Sequence, residues 1–158
     1  MIEEYKILLE QAHQEKKSIQ NKIKGLKKLK KGEVDKRIHQ LHDEAFEQID
    51  CLKCANCCTT TGPLLNQKDI ERIARFKQMK PGEFVEQFLH IDEDQDYVFN
   101  KIPCVFLGDD HYCSIYDVRP KACREYPHTD RVNQQGILSL TAKNALICPA
   151  VAYIMKNL

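Results

Sequence analysis

The stretch Cys51-Leu-Lys-Cys54-Ala-Asn-Cys57-Cys58, CLKCANCC in one-letter code, holds four of the eight cysteines of the chain. An isolated cysteine is usually a small buried hydrophobe, but four neighbouring thiols invite oxidation unless a metal holds them. A structural metal contributes about 10–16 kcal/mol of apparent binding energy, against roughly 2–4 kcal/mol for a disulfide. The stretch therefore predicts a metal centre, either zinc or iron in an iron-sulfur cluster.

The adjacent pair Cys57 and Cys58 raises the question of which thiols share a centre. Adjacent side chains diverge by about 100° in a helix and point to opposite faces in a strand. In a helix Cys58 joins Cys51 and Cys54 on one face, whereas in a loop the even spacing favours Cys57 as the third member. Both alternatives stay open, but either way we expect Cys57 and Cys58 to point apart.

The remaining cysteines lie far along the chain and lack the paired spacing of a zinc ribbon, so any site that uses them is assembled by the fold. They are Cys104, Cys113, Cys123 and Cys148. A centre of four thiolates carries a net charge of about −2, which basic neighbours can offset. Among the cations within four residues of a cysteine are Lys53, Arg119, Lys121 and Arg124.

Composition predicts a globular protein in a reducing compartment. The 158 residues are 42% hydrophobic and 30% charged, with a net charge of +1. No apolar run approaches the roughly 20 residues that span a bilayer, and the acidic N-terminus does not resemble an export signal. We therefore expect a cytoplasmic protein with no membrane role, in which cysteines serve as metal ligands or redox groups rather than disulfides.

Residues 1–49 form the first predicted domain, an N-terminal helical segment. Its apolar residues follow helical spacing on both sides of the KKGEVD break at residues 30–35, which predicts a helical hairpin or a kinked coiled coil. Eight lysines and no acidic residue occur between Lys16 and Lys31. Without arginines or interleaved aromatics this lysine face argues against nucleic acid, although a protein partner could bind there.

Residues 50–158 form the second predicted domain, so that the fold class is α+β, with short helices and β-hairpins. Asn66 and Asp69 predict a capped helix, and Pro81 opens another. A hairpin at residues 97–116 carries Cys104 and Cys113, and a short helix after Asp117 carries Cys123. Two strands are expected around residues 133–136, followed by a closing helix after Cys148.

Several of these residues together resemble the YkgJ-type cysteine-cluster family, also called the CxxCxxCC zinc- or iron-chelating domain. The resemblance rests on CLKCANCC, on PCVFL at residues 103–107, and on CSIYDVRPKACREYP at residues 113–127. It covers about residues 50–150 and excludes the N-terminal helices. The resemblance implies eight metal-ligand candidates: Cys51, Cys54, Cys57, Cys58, Cys104, Cys113, Cys123 and Cys148.

The leading hypothesis is a protein that binds iron, as an iron-sulfur cluster, or Zn²⁺ through these cysteines. Two alternatives stay open. One is an enzyme that uses the centre for electron transfer or protein modification, although the sequence contains no nucleotide loop and no recognisable catalytic constellation. The other is an adaptor in which the metal braces the fold while the basic helices bind a partner.

Overall fold

The computed structural model describes all residues from Met1 to Leu158. It is an α+β structure with ten α-helices and one small antiparallel sheet, as predicted. The helices are α1 Glu3–Gln14, α2 Lys16–Leu26, α3 Lys31–Gln48, α4 Cys51–Cys54, α5 Asn56–Thr60, α6 Gln67–Phe76, α7 Pro81–Phe88, α8 Lys121–Glu125, α9 Leu138–Asn144 and α10 Pro149–Asn157. The strands are β1 Leu64–Leu65, β2 Leu89–Ile91 and β3 Tyr97–Phe99.

The chain divides into two compact units. Unit one comprises Met1–Asn56 and Pro127–Leu158, and unit two comprises Cys57–Tyr126. Unit one therefore combines the predicted N-terminal segment with the C-terminal helices. The predicted boundary between residues 49 and 50 rests on the sequence alone.

The core of unit one joins helices from both ends of the chain. The predicted N-terminal helices are present, with α1 ending at Gln14 and α2 beginning at Lys16. Helices α1 and α3 pack on α10, and α2 packs on α9. The buried side chains include Leu9, Ile23, Ile38, Val151 and Ile154. No single helix is long and apolar enough to cross a membrane, although the segments Gln134–Asn144 and Pro149–Asn157 meet that criterion as a pair bent by 118°.

The two strands predicted around residues 133–136 are wrong. A 3-10 helix, Gln134–Ile137, leads directly into α9. The Asp35 carboxylate accepts the backbone N–H groups of Asn133 (2.9 Å) and Gln134 (2.7 Å), and Asn133 adopts a left-handed conformation with φ 61°. These hydrogen bonds use backbone N–H groups that a β-strand would need for pairing, so they favour a turn. Because Asp35 lies far away in the sequence, the local pattern around residue 133 does not indicate them.

Unit two has a sheet with strand order β1-β3-β2, all antiparallel. Its core contains Phe84, Phe99 and Phe106, with ring centroids of the last two 5.3 Å apart. Helix α6 begins at the predicted capping box, in which Asn66 accepts from the Asp69 N–H (2.8 Å) and Asp69 accepts from the Asn66 N–H (3.2 Å). Pro81 opens α7 as predicted.

The predicted hairpin at residues 97–116 forms only in part. Residues 97–99 are a strand, but residues 103–106 are turns, because Pro103 has no N–H to give to a ladder. A single bridge joins Leu107 to Cys113 and closes a tight loop between the two cysteines.

The helix expected after Asp117 begins later. A 3-10 helix spans Tyr116–Val118, and α8 begins only at Lys121, after Pro120. Proline disfavours the helical conformation of the residue before it, so Arg119 is extended and separates the two elements. The expectation that Cys123 lies on a short helix is confirmed.

Candidate metal centre

The CLKCANCC stretch consists of two short helices separated by one left-handed residue. Asp50 caps α4 by accepting the Leu52 N–H at 2.9 Å. Ala55 follows with φ 51° and ψ 11°, which ends α4 and redirects the chain into α5. The stretch is therefore neither the continuous helix nor the loop considered from the sequence. Cys51 and Cys54 lie before the break, and Cys57 and Cys58 lie after it.

In unit one, Cys51 and Cys54 on α4 lie near Cys148, which precedes α10. The Asn56 side-chain amide donates to the Ile147 carbonyl at 2.8 Å and so ties the start of α5, directly after the α4 segment, to the residue before Cys148. Both Cys54 and Cys148 pack against the core of this unit. Burial, with a smaller contribution from the neighbouring Cys51 and Cys54 thiols, raises the pKa of the Cys148 thiol to about 12.

A methionine sulfur also lies beside one of the three cysteines of unit one. The Cys54 thiol lies 3.9 Å from the Met1 thioether sulfur, toward which it donates. Met1 also packs against the core of unit one. Thioethers, like thiolates, are soft donors that suit soft metals.

In unit two, backbone hydrogen bonds hold three of the five cysteines near one another. The Cys104 N–H donates to the Cys58 carbonyl at 2.8 Å, and the Leu107 N–H donates to the Cys104 carbonyl at 3.0 Å. Leu107 in turn forms an isolated antiparallel β-bridge with Cys113. Cys104 and Cys113 both pack against the core of this unit.

Electrostatic interactions group Cys123 with these three thiols. Burial, together with smaller contributions from Cys58, Cys104 and Cys113, raises the pKa of Cys123 to about 12, although part of the residue remains exposed. Burial likewise raises the pKa of Cys104 and of Cys113. Each of these two thiols also interacts with Cys58. A group of thiols that resist ionisation together gains much from a cation placed among them.

The expectation that Cys57 and Cys58 point apart is wrong. A hydrogen bond from the Cys57 side chain lowers the pKa of the Cys58 thiol to about 7, against the opposing effect of burial. The two sulfurs therefore approach each other. Both cysteines lie on the short helix α5, which begins at Asn56.

A polar network positions the segment that carries Cys123. The Asp69 carboxylate accepts from Arg72 Nη2 at 2.6 Å and from the Lys121 N–H at 3.1 Å. Arg72 also donates to the carbonyls of Val118 (3.2 Å) and Arg119 (2.8 Å). Sequence reasoning identified Asp69 as a helix cap but missed Arg72, for which the i, i+3 spacing was the available signal.

Of the four basic residues expected to offset the charge of the thiolates, Arg119 interacts electrostatically with thiols of unit two. Arg119 lowers the pKa of Cys113 and of Cys123, in opposition to burial. Its guanidinium lies 3.9 Å from the centre of the Tyr116 ring, a cation–π contact that holds it in place. Lys121 instead pairs with Glu125 at 3.5 Å on the exposed face of α8.

The eight cysteines are all present as thiols, and their chemistry fits a soft or borderline metal. No three Cys, His, Asp or Glu side chains form a ready group around one ion. The thiols of each group lie near one another, but their sulfur atoms do not surround one point at metal–ligand distances. Metal binding at either group would require side-chain adjustment.

The fold and its grouped thiols define a cysteine-cluster domain of the metal-chelating kind. A family model described as "CxxCxxCC: Putative zinc- or iron-chelating domain" matches residues 50–149, and the chain belongs to this family. The match includes all eight cysteines. No curated protein and no solved structure matches the chain significantly.

Proposed function

We propose that this chain is a metal-binding protein whose cysteine thiolates hold iron as an iron-sulfur cluster, with zinc as the alternative metal. The observation that carries the proposal is the grouping of the thiols within each unit, where their negative charges would repel one another without a cation. Membership of a zinc- or iron-chelating family supports the same function. We place the protein in the cytosol, where eight thiols remain reduced.

The all-thiolate composition of both groups is the ligand set of iron-sulfur clusters. A structural zinc site accepts four thiolates as well, so zinc is the alternative metal.

The alternative of an adaptor, in which the lysines of the N-terminal helices bind a partner, has less structural support than metal binding. The Lys22 ammonium donates to the carbonyls of Met155 (2.7 Å) and Lys156 (2.9 Å), the last turn of α10. This lysine therefore has a structural partner, as is common at helix C-termini.

Anaerobic purification followed by elemental analysis and absorption spectroscopy tests the proposal. We expect a brown protein that contains iron and sulfide and that loses iron in air. A colourless protein with stoichiometric zinc would overturn the choice of iron and retain metal binding. A chain that binds neither metal, even after reconstitution with each, would contradict the proposed function.

A further inference from the structure

The cysteines of each compact unit form their own group, and each group is held together by contacts within that unit. In unit one, α4 presents Cys51 and Cys54 a turn apart, and the hydrogen bond from Asn56 to the Ile147 carbonyl brings Cys148 to them. In unit two, the hydrogen bond from Cys104 to the Cys58 carbonyl and the Leu107–Cys113 bridge bring three cysteines together. The Asp69–Arg72 network fixes the segment that carries the fourth, Cys123, whose thiol interacts electrostatically with the other three.

We infer that the protein has two metal centres of unequal composition: one held by the four thiolates of Cys58, Cys104, Cys113 and Cys123, and one held by three thiolates. The three are Cys51, Cys54 and Cys148. This inference rests on the proposed function and assigns its ligands. Four thiolates saturate their centre with protein ligands, whereas three leave a coordination position that no cysteine fills.

The open position of the three-thiolate centre has a candidate ligand within its own unit. The Met1 sulfur lies 3.9 Å from the Cys54 thiol and is held against the core of unit one. A thioether is a weak, neutral donor, so a stronger external ligand could displace it. The three-thiolate centre is therefore the one at which exchange or chemistry with an external ligand would occur.

This assignment leaves Cys57 outside the four-thiolate centre. The Cys104 N–H donates to the carbonyl of Cys58, and the thiols of Cys104, Cys113 and Cys123 each interact with the Cys58 thiol. Cys58 is therefore the member of the adjacent pair that we assign as a ligand.

Cysteine alkylation of the metal-loaded full chain, read by mass spectrometry, tests the assignment. We expect Cys123→Ser to expose Cys58, Cys104 and Cys113 to alkylation while Cys51, Cys54 and Cys148 stay protected. Cys148→Ser should produce the reverse pattern. A single variant that exposes all remaining cysteines and removes all metal would overturn the two-centre assignment.

The adjacent cysteines provide a matched pair of variants. Cys57→Ser alters no assigned ligand and should keep the metal content and spectrum of the wild type. Cys58→Ser should instead match Cys123→Ser. Equal loss of metal in both variants would overturn the assignment of Cys58, and not Cys57, as the ligand.

Native mass spectrometry of the wild-type chain gives an answer that does not depend on how the variants fold. We expect two metal centres per chain that can be removed separately by a chelator. One centre per chain would overturn the inference while leaving the proposed function intact, whereas a wild-type chain without metal would contradict the proposed function itself.

Discussion

At the scale of single residues, the most constrained side chain outside the cysteines is Asp69. It is almost fully buried, yet its carboxylate accepts N–H groups from Asn66, Arg72 and Lys121. These bonds join the beginning of α6 to the segment that leads into α8 and Cys123. Hydrogen bonds to a charged group contribute more than neutral ones, and their loss leaves buried donors without an acceptor.

We expect Asp69→Asn to lower the free energy of unfolding by roughly 1.5–3 kcal/mol, because the amide removes the charge that pairs with Arg72. Denaturant unfolding of the metal-free chain measures this change. Glu33→Gln is the matched control, since the Glu33–Arg37 pair at 2.6 Å is exposed and its loss should cost at most about 0.5 kcal/mol. Equal effects of the two substitutions would contradict the role of Asp69.

At the scale of elements, the break between α4 and α5 determines how CLKCANCC distributes its thiols. Ala55 has φ 51°, a conformation that costs an L-residue roughly 1–2 kcal/mol. Glycine adopts it without this cost and is the usual residue at the end of a helix. The strain at Ala55 is maintained by the cap at Asp50 on one side and by the hydrogen bond of Asn56 on the other.

We expect Ala55→Gly to leave metal content unchanged and to be at least about 1 kcal/mol more stable than Ala12→Gly. The two alanines are equally exposed, at 6%, but Ala12 lies within helix α1, where glycine is unfavourable. Thermal and denaturant unfolding compare the variants, each against the wild type. A greater loss of stability at position 55 would contradict the left-handed conformation.

At the scale of the whole chain, unit one depends on helices from both ends of the sequence. Ile38 on α3 is fully buried in a core that also contains Val151 and Ile154 of α10. Removal of the N-terminal helices would therefore expose the apolar faces of α9 and α10. A truncation at residue 48 cannot separate a binding function of the helices from their contribution to the fold.

We expect Ile38→Ala to lower the free energy of unfolding by about 2–5 kcal/mol, because it leaves a cavity in this core. Ile7→Ala makes the same change at a site on α1 that is 46% exposed and should alter stability by about 0.5 kcal/mol or less. Denaturant unfolding followed by circular dichroism measures both. Similar losses at the two positions would indicate that α3 does not contribute its face to the core.

The sequence by itself determined the family, the α+β class and several local structural features, and it supplied eight cysteines as ligand candidates. The Asn66–Asp69 capping box, the start of α7 at Pro81 and the helical position of Cys123 were all predictable, because each depends on residues a few positions apart. The strands expected near residue 133 failed because Asp35 acts there from nearly one hundred residues away.

Only the tertiary structure decided which cysteines lie together. Cys148 is near Cys51 and Cys54, and Cys123 is near Cys104 and Cys113, through packing of segments that are distant in sequence. The left-handed conformation of Ala55, which separates Cys51 and Cys54 from Cys57 and Cys58, is likewise not indicated by an alanine in the sequence. Spacing along a chain reports local geometry, whereas the grouping of distant thiols depends on how the whole core closes.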